Sequence, residues 1–537
     1  MKQHGKNMGI RYLWLAIIGL ITPALVAQAE LTDITQTTPN VLGGAIGKSL
    51  QQQVGTGRGD KFTAGSSIYL IKRDPARSIR RGRQLFQRKF TMAEGFGPRV
   101  NHESIGDIHD NPALGAGLVD SCAGCHGRPK GSAGFGGDVG TRPDSRDAPH
   151  LFGLGLVEML ADEITHDLRT IRSQALTWAV KNGSAVKLPL VSKGIHYGAI
   201  RALPNGSIDT SLVEGVTPDL RIRPFFAHGG EFSIRAFAVG GFKDEMGLES
   251  PDQDLCQATD PINPIKISTP AGLVMDPALD KIKQPPVCST TEDGDGDGVV
   301  NEIDTALIDH MEFYLLNYFK PATGKTTRRT ESGLVLLKEI GCTDCHIQNL
   351  RIIRDRRIAD VETRFDPAKG IFNRLFATAT TLFNVMNDGQ AFPKLLPKKN
   401  SFLVKSIFAD FKRHDLGPAF HERQYDGSLV KKFMTEPLWG VGTTAPYGHD
   451  GRSINLEEVI LRHGGEAQRS KQRFASLEDN NQRKILEFLN TLVLFPPDDT
   501  ASNLNAGNPD THNSQEPAEH GSINLRVLFQ IMEEGPE

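Results

Sequence analysis

Cys122-Ala123-Gly124-Cys125-His126 and Cys342-Thr343-Asp344-Cys345-His346 are two copies of one pattern, C-x-x-C-H. This is the spacing by which a c-type haem is attached: two thiols three positions apart form thioethers with the porphyrin vinyl groups, and the adjacent His reaches the iron. A single C-x-x-C can also be a redox pair or half a zinc site. Here four of the six cysteines fall into two complete copies, each with its His. That recurrence predicts two covalently bound haem c groups, with His126 and His346 as iron ligands.

Outward from the pentads, the N-terminus predicts the compartment. Lys2, Lys6 and Arg11 precede an apolar run from Leu13 to Ala27, which closes on Ala27-Gln28-Ala29. This reads as a cleaved secretory signal, residues 1–29. The run is short for a span and broken by Pro23, and no later stretch is apolar enough to cross a bilayer. The expectation is a periplasmic chain with no membrane span after cleavage. A formal net charge of -3 in 537 residues gives no footprint for nucleic acid. The remaining cysteines, Cys256 and Cys288, are expected to pair in an oxidising compartment, two free thiols being the alternative.

Residues 30–74 show no sustained period and read as an arm or loops. Ser78 opens a predicted helix with Phe86 and Phe90 on one face. His102 and His109 lie in the loop before Cys122; either could reach an iron, the favoured alternative for each being a surface loop histidine. Arg128, Arg142 and Arg146 follow the first pentad and could hold haem propionates by bidentate bonds, the equal alternative for each being a solvated loop charge. Glu158 ends an apolar segment from Leu151 to Val157. A carboxyl at such an edge has its pKa raised by desolvation and could shuttle protons to bound peroxide, the alternative being a helix-dipole partner. His196, His228 and Met246 sit in a mixed stretch, and Met246 could be a thioether ligand or core filler.

Residues 293–304 read D-G-D-G-D-G-V-V-N-E-I-D. Asp293, Asp295 and Asp297 occupy calcium-loop positions 1, 3 and 5, Gly298 the turn, Val299 the carbonyl position, Asn301 position 9 and Asp304 position 12. A helix is predicted from Thr305, and none before the loop, where Pro285 and Pro286 stand. The second haem segment begins near Thr327 with a helix running into Cys342, and 351–399 is basic and poorly patterned. His414-Asp415 could be a haem-edge pair or a turn. In Glu436 to Ala467, Asn455 and Glu458 form a capping box. Leu456, Val459, Ile460 and His463 then share a face, which makes His463 a candidate iron ligand. A last helix is predicted from about Asn481 to Leu494, and a polar tail follows.

GRQLF, GFGP and CAGCH, with APHLFGLGLVE, RHDLGP and PLWGVGTTAPYGHDGR…HGGEA, make the chain resemble the bacterial dihaem oxidoreductases related to dihaem cytochrome c peroxidases, from about Arg81 to Leu494. The resemblance implies that the residue closing the helix after A-P-Y-x-H-D-G, here His463, is the distal ligand of the C-terminal haem. It implies a reactive N-terminal haem at His126 and a second calcium on carbonyls of Thr444 and Pro446. Asn101 to Asp120 departs from the pattern as an insertion.

The combined expectation is a mainly α fold: two cytochrome c-like haem domains with long loops, few short strands and a calcium-binding loop insertion. The boundaries are 30–74 for the arm, 75–325 for the N-terminal haem domain with the calcium loop, 326–498 for the C-terminal haem domain and 499–537 for the tail. The expected activity is reduction of hydrogen peroxide with electrons entering at the C-terminal haem from a small electron-donor protein or quinol-linked cytochrome. A dihaem oxygenase or protein-modifying oxidase acting on an organic substrate, or a plain electron carrier, is the alternative.

Overall fold

A computed structural model describes residues 49–97, 119–127, 132–134, 147–285, 287–293, 298–318, 320–365, 377–383, 385–386, 394–395, 401–423 and 427–494. The leader, His102, His109, Arg128, Arg142, Arg146, Asp295, Asp297 and the tail lie outside the described residues.

Short polar side chains start the first helices. Ser49 caps α1 (Leu50–Val54), Ser66 caps α2 (Ser67–Arg73), and Asp74 caps α3 (Pro75–Gln87), which has Pro75 at its first position. Two helices therefore stand in the stretch read as an irregular arm. The Asp-Pro pair starts α3 three residues before Ser78 and leaves Phe90 beyond its end. The first pentad is itself a helical turn, α4 (Cys122–His126).

α5 (Leu154–Asn182) is the longest helix described and runs about 44 Å at the usual rise. Gly153 enters it at φ 76°, and a Cβ there would meet the Trp439 ring at 2.7 Å. β1 (Val186–Ser192), β2 (Ile195–Ala202) and β3 (Ile208–Asp209) form an antiparallel sheet after it. α6 (Ile234–Met246), α7 (Gln253–Ala258) and α8 (Thr305–Leu316) follow. Every residue of α8 is buried, as expected of a helix packed on all sides. Gly82 of α3 lets the backbones meet, since a Cβ there would lie 2.2 Å from the His310 carbonyl.

α9 (Arg328–Glu339) leads into the second pentad, and α10 (Leu456–Arg462), α11 (Gln468–Ala475) and α12 (Asp479–Leu489) close the described chain. α12 stops five residues before the expected Leu494. The residues that follow form a strand, Leu492–Val493, paired with Ala322–Thr323. The basic stretch read as unpatterned holds an antiparallel pair, Ala359–Phe365 with Ala377–Phe383. Helix still predominates over strand, so the mainly α reading holds at that level.

Among the described residues, two apolar cores result. The larger gathers α3, α5, α6 and α8 with Trp439 and Leu494, and the smaller packs Leu337 and Phe408 against Phe474, Ile485 and Phe488. The larger core contains a charge cluster. Arg235, fully buried, pairs with Asp252 at 2.6 Å, Asp309 at 2.9 Å and Glu312 at 2.8 Å. Such a cluster is stable only while every member is matched, because an unpaired buried charge is costly.

Candidate functional site

None of the four pentad cysteines is in a disulfide, whereas Cys256 and Cys288 are bridged to each other. The pairing expected from their isolation is therefore formed. Burial pushes the Cys122 and Cys342 thiols up to about 12, so both stand as neutral thiols.

The three histidines proposed as iron ligands share one arrangement. His126 Nδ1 lies 2.7 Å from the Pro149 carbonyl oxygen, His346 Nδ1 3.0 Å from that of Phe408, and His463 Nδ1 2.7 Å from that of Val459. A carbonyl can only accept, so each Nδ1 carries the proton and each Nε2 keeps its lone pair. That is the tautomer a metal needs, with the second ring nitrogen oriented by a backbone carbonyl. Burial also disfavours imidazolium, pushing His126 and His463 down to about 4 and lowering His346. His463 and His346 lie close enough to interact electrostatically.

His463 is not within α10 but is its C-cap, at φ -54° and ψ 132°. The helix carries it to the second pentad as the periodicity suggests, and the turn past Arg462 sets its direction. Of the expected capping box, Asn455 accepts the Glu458 amide, while Glu458 turns to the Ile454 amide.

At the first pentad the Phe237 ring of α6 stands edge-on to His126 at 6.5 Å. Glu158 lies in α5, buried, with one oxygen accepting the Ile234 amide at 2.6 Å and the other paired with Arg356. Burial raises its pKa, and Arg356 works against that rise. Both oxygens are spent, so Glu158 can exchange a proton only when the Arg356 pair opens. Met246 is core filler at the end of α6.

His414 does not pair with Asp415. Its Nε2 meets Asp410 at 2.8 Å and its Nδ1 meets Glu466 at 2.7 Å, while Asp415 takes His421. Burial opposes the charge, but Asp410 and the Cys345 sulfur override it and push His414 up to about 11. Cys345, Asp410 and His414 place ligand atoms within 4.8 Å of one another. Both imidazole nitrogens are already engaged by carboxylates, so this cluster is a hydrogen-bond network beside the pentad.

At the calcium-type loop, the Gly298 amide donates to Asp293 at 2.7 Å, with Gly298 at φ 89°. Asn301, at φ 58°, holds a buried Oδ1 without a hydrogen-bond partner among the described residues. Asp304 spends one oxygen on the Ala306 amide as the cap of α8. Thr444 follows a short turn, and Ala445-Pro446 is cis.

One residue stands within the APHLFGLGLVE motif, yet the sequence assigns it no role. His150 lies between the two centres: its Nε2 is 2.9 Å from the Trp439 carbonyl oxygen, and its Nδ1 receives the Phe152 amide at 3.2 Å.

No helix among the described residues is long and apolar enough to cross a membrane. A comparison with curated proteins gives no match. Among solved structures, Kuenenia stuttgartiensis hydrazine synthase, pressurized with xenon, is 14% identical over 37% of this chain and 59% of its own, with a TM-score of 0.21. This chain thus spans about three fifths of that one's length, and the likeness is too slight to argue from. The family model described as "Di-haem oxidoreductase, putative peroxidase" matches residues 370–492. Both pentads lie upstream of the match, and Trp439, the A-P-Y-G-H-D-G turn and His463 lie within it, so it is the segment downstream of the second pentad that is similar to the di-haem oxidoreductases.

Proposed function

We propose that the chain is a periplasmic dihaem c-type oxidoreductase that reduces hydrogen peroxide with electrons from a small donor protein or a quinol-linked cytochrome. One observation carries the reading: His126, His346 and His463 are all neutral, with Nδ1–H fixed on a backbone carbonyl and Nε2 left as a donor atom. Haem, when bound, supplies the one-electron chemistry and the site where peroxide is reduced.

In this reading Cys122 and Cys125 tether the first group and Cys342 and Cys345 the second. His346 and His463 would both be ligands to the second, which would suit electron transfer and not substrate binding. His126 would be a ligand to the first, with Phe237 against its edge to keep that imidazole from turning. Glu158 fixes the first turn of α6, and with it Phe237. It would give up or take a proton only when Arg356 withdraws. The disulfide accords with an oxidising compartment.

Calcium belongs to the same proposal, on Asp293, Asp295, Asp297, Val299, Asn301 and Asp304. The orphaned Oδ1 of Asn301 and the Gly298 turn support it, since a buried oxygen without a donor suits a hard cation.

The test is to express the chain with haem maturation and assay peroxide-dependent oxidation of a reduced c-type cytochrome, with His126→Ala beside it. Turnover lost in H126A supports the reading. Two permanently low-spin haems without turnover would make the chain an electron carrier.

A further inference from the structure

We propose that His150 completes a hydrogen-bonded path joining the two proximal histidines, and that electrons pass between the two haem sites along it. The inference rests on the dihaem reading above and adds to it the residue that couples the sites.

The path can be followed bond by bond. His346 Nδ1–H donates to the Phe408 carbonyl at 3.0 Å. One residue back, the Ile407 carbonyl accepts the Leu438 amide at 3.0 Å. Leu438 is bonded to Trp439, whose carbonyl accepts His150 Nε2–H at 2.9 Å. His150 is bonded to Pro149, whose carbonyl accepts His126 Nδ1–H at 2.7 Å. Four hydrogen bonds and short runs of backbone thus connect imidazoles 220 positions apart in the sequence. Each such bond couples the orbitals of its partners more strongly than a van der Waals gap would.

Apart from the two terminal imidazoles, His150 is the one side chain in this path, so it is where the path can be cut. It is also fixed in the required form. The Phe152 amide donates into Nδ1 at 3.2 Å, so the proton must sit on Nε2, facing Trp439. The Phe152 ring stands edge-on to His150 at 5.8 Å. Gly440 leaves room for the contact: at φ 83°, a Cβ there would lie 2.9 Å from His150 Nε2. Gly153 likewise leaves room for the Trp439 ring.

One electron leaves the site at His346, which is oxidised by one equivalent, and enters the site at His126, which is reduced by one. No bond breaks and no proton moves. His150 is a positioning residue in this step and touches neither reactant.

The test uses the holoprotein with wild-type chain, His150→Phe and His150→Gln. Phe keeps a ring and removes the donor; Gln keeps an N–H that can reach the same carbonyl. Each is mixed with substoichiometric dithionite, and redistribution of the electron between haems is followed by stopped-flow absorbance and freeze-quench EPR. Covalent haem content, both midpoint potentials and melting temperature are measured alongside. The expected result is several-fold slower redistribution in H150F at unchanged potentials, with most of the rate restored in H150Q. Should H150F not accumulate, His150→Met replaces it. H150F, or H150M in its place, carrying two haems and redistributing at the wild-type rate would overturn the path. Fewer than two haems on the wild-type chain would overturn the dihaem reading, and the path with it.

Discussion

His463 Nδ1 lies 2.7 Å from the carbonyl oxygen of Val459, four residues earlier, just where α10 ends. That carbonyl has no helical amide to accept, and the histidine satisfies it. The same bond fixes the proton on Nδ1 and leaves Nε2 for a metal. A helix terminus thereby sets the tautomer of a proposed iron ligand.

His463→Ala is expected to leave both porphyrins attached and to convert the second haem to a form with a weak or exchangeable sixth ligand. The check is the EPR spectrum of the oxidised protein, where one low-spin signal should be lost. His463→Met should retain a low-spin haem and raise its potential, because a thioether favours the reduced iron. An unchanged spectrum in H463A would remove His463 from the ligand set.

Arg235→Ala should destabilise the fold by about 3–5 kcal/mol, since it strands Asp252 and Glu312 in the core without their cation and leaves Asp309 only Arg58, at 3.4 Å. Denaturant melts of the haem-loaded protein check this. Arg235→Lys should recover only part of the loss, because one ammonium cannot match three carboxylates in the geometry of the guanidinium.

His310 couples stability to pH. Burial pushes it down to about 3, and the nearby Arg81 acts in the same direction. Arg81 can only donate to Nε2, at 3.4 Å, so the proton on Nδ1 faces Ser78 at 2.8 Å and the ring is neutral. The unfolded chain binds a proton near pH 6.5 that the folded chain refuses until about pH 3. Stability from this residue is therefore present above the unfolded value and lost progressively as pH falls between the two. His310→Asn should flatten the fall of melting temperature across that window.

Calcium should raise the melting temperature of the chelator-treated protein, by an amount that grows with the logarithm of its concentration. Asn301→Ala should weaken this response without abolishing it, and Asp293→Ala should weaken it more, because Asp293 also fixes the Gly298 turn. Isothermal titration with calcium alone checks both. Magnesium should bind far more weakly, since it demands a tighter octahedral shell.

What could be read in advance was what short-range chemistry fixes. Thioether attachment needs two thiols and a His at set positions, so both pentads were visible. The heptad-like spacing of Leu456, Val459, Ile460 and His463 brought His463 near His346, although the helix ends one residue before it. Cys256 and Cys288 were paired correctly because no other cysteines were left. The pairing of Ala359–Phe365 with Ala377–Phe383 was missed because the stretch lacks the alternation that marks a half-buried strand. Arg235 finds its carboxylates on α8 and ahead of α7, 17 to 77 residues away, and no local pattern announces that. His150 was passed over for the same reason. Its partner is 289 residues distant, and alone it is one histidine before an apolar run.

The most direct test is the intact mass of the mature protein, expressed with haem maturation, beside C122A/C125A and C342A/C345A double variants. The expected result is a chain carrying two covalent haems, falling to one in each variant. A wild-type chain with one covalent haem or none would contradict the account at its root.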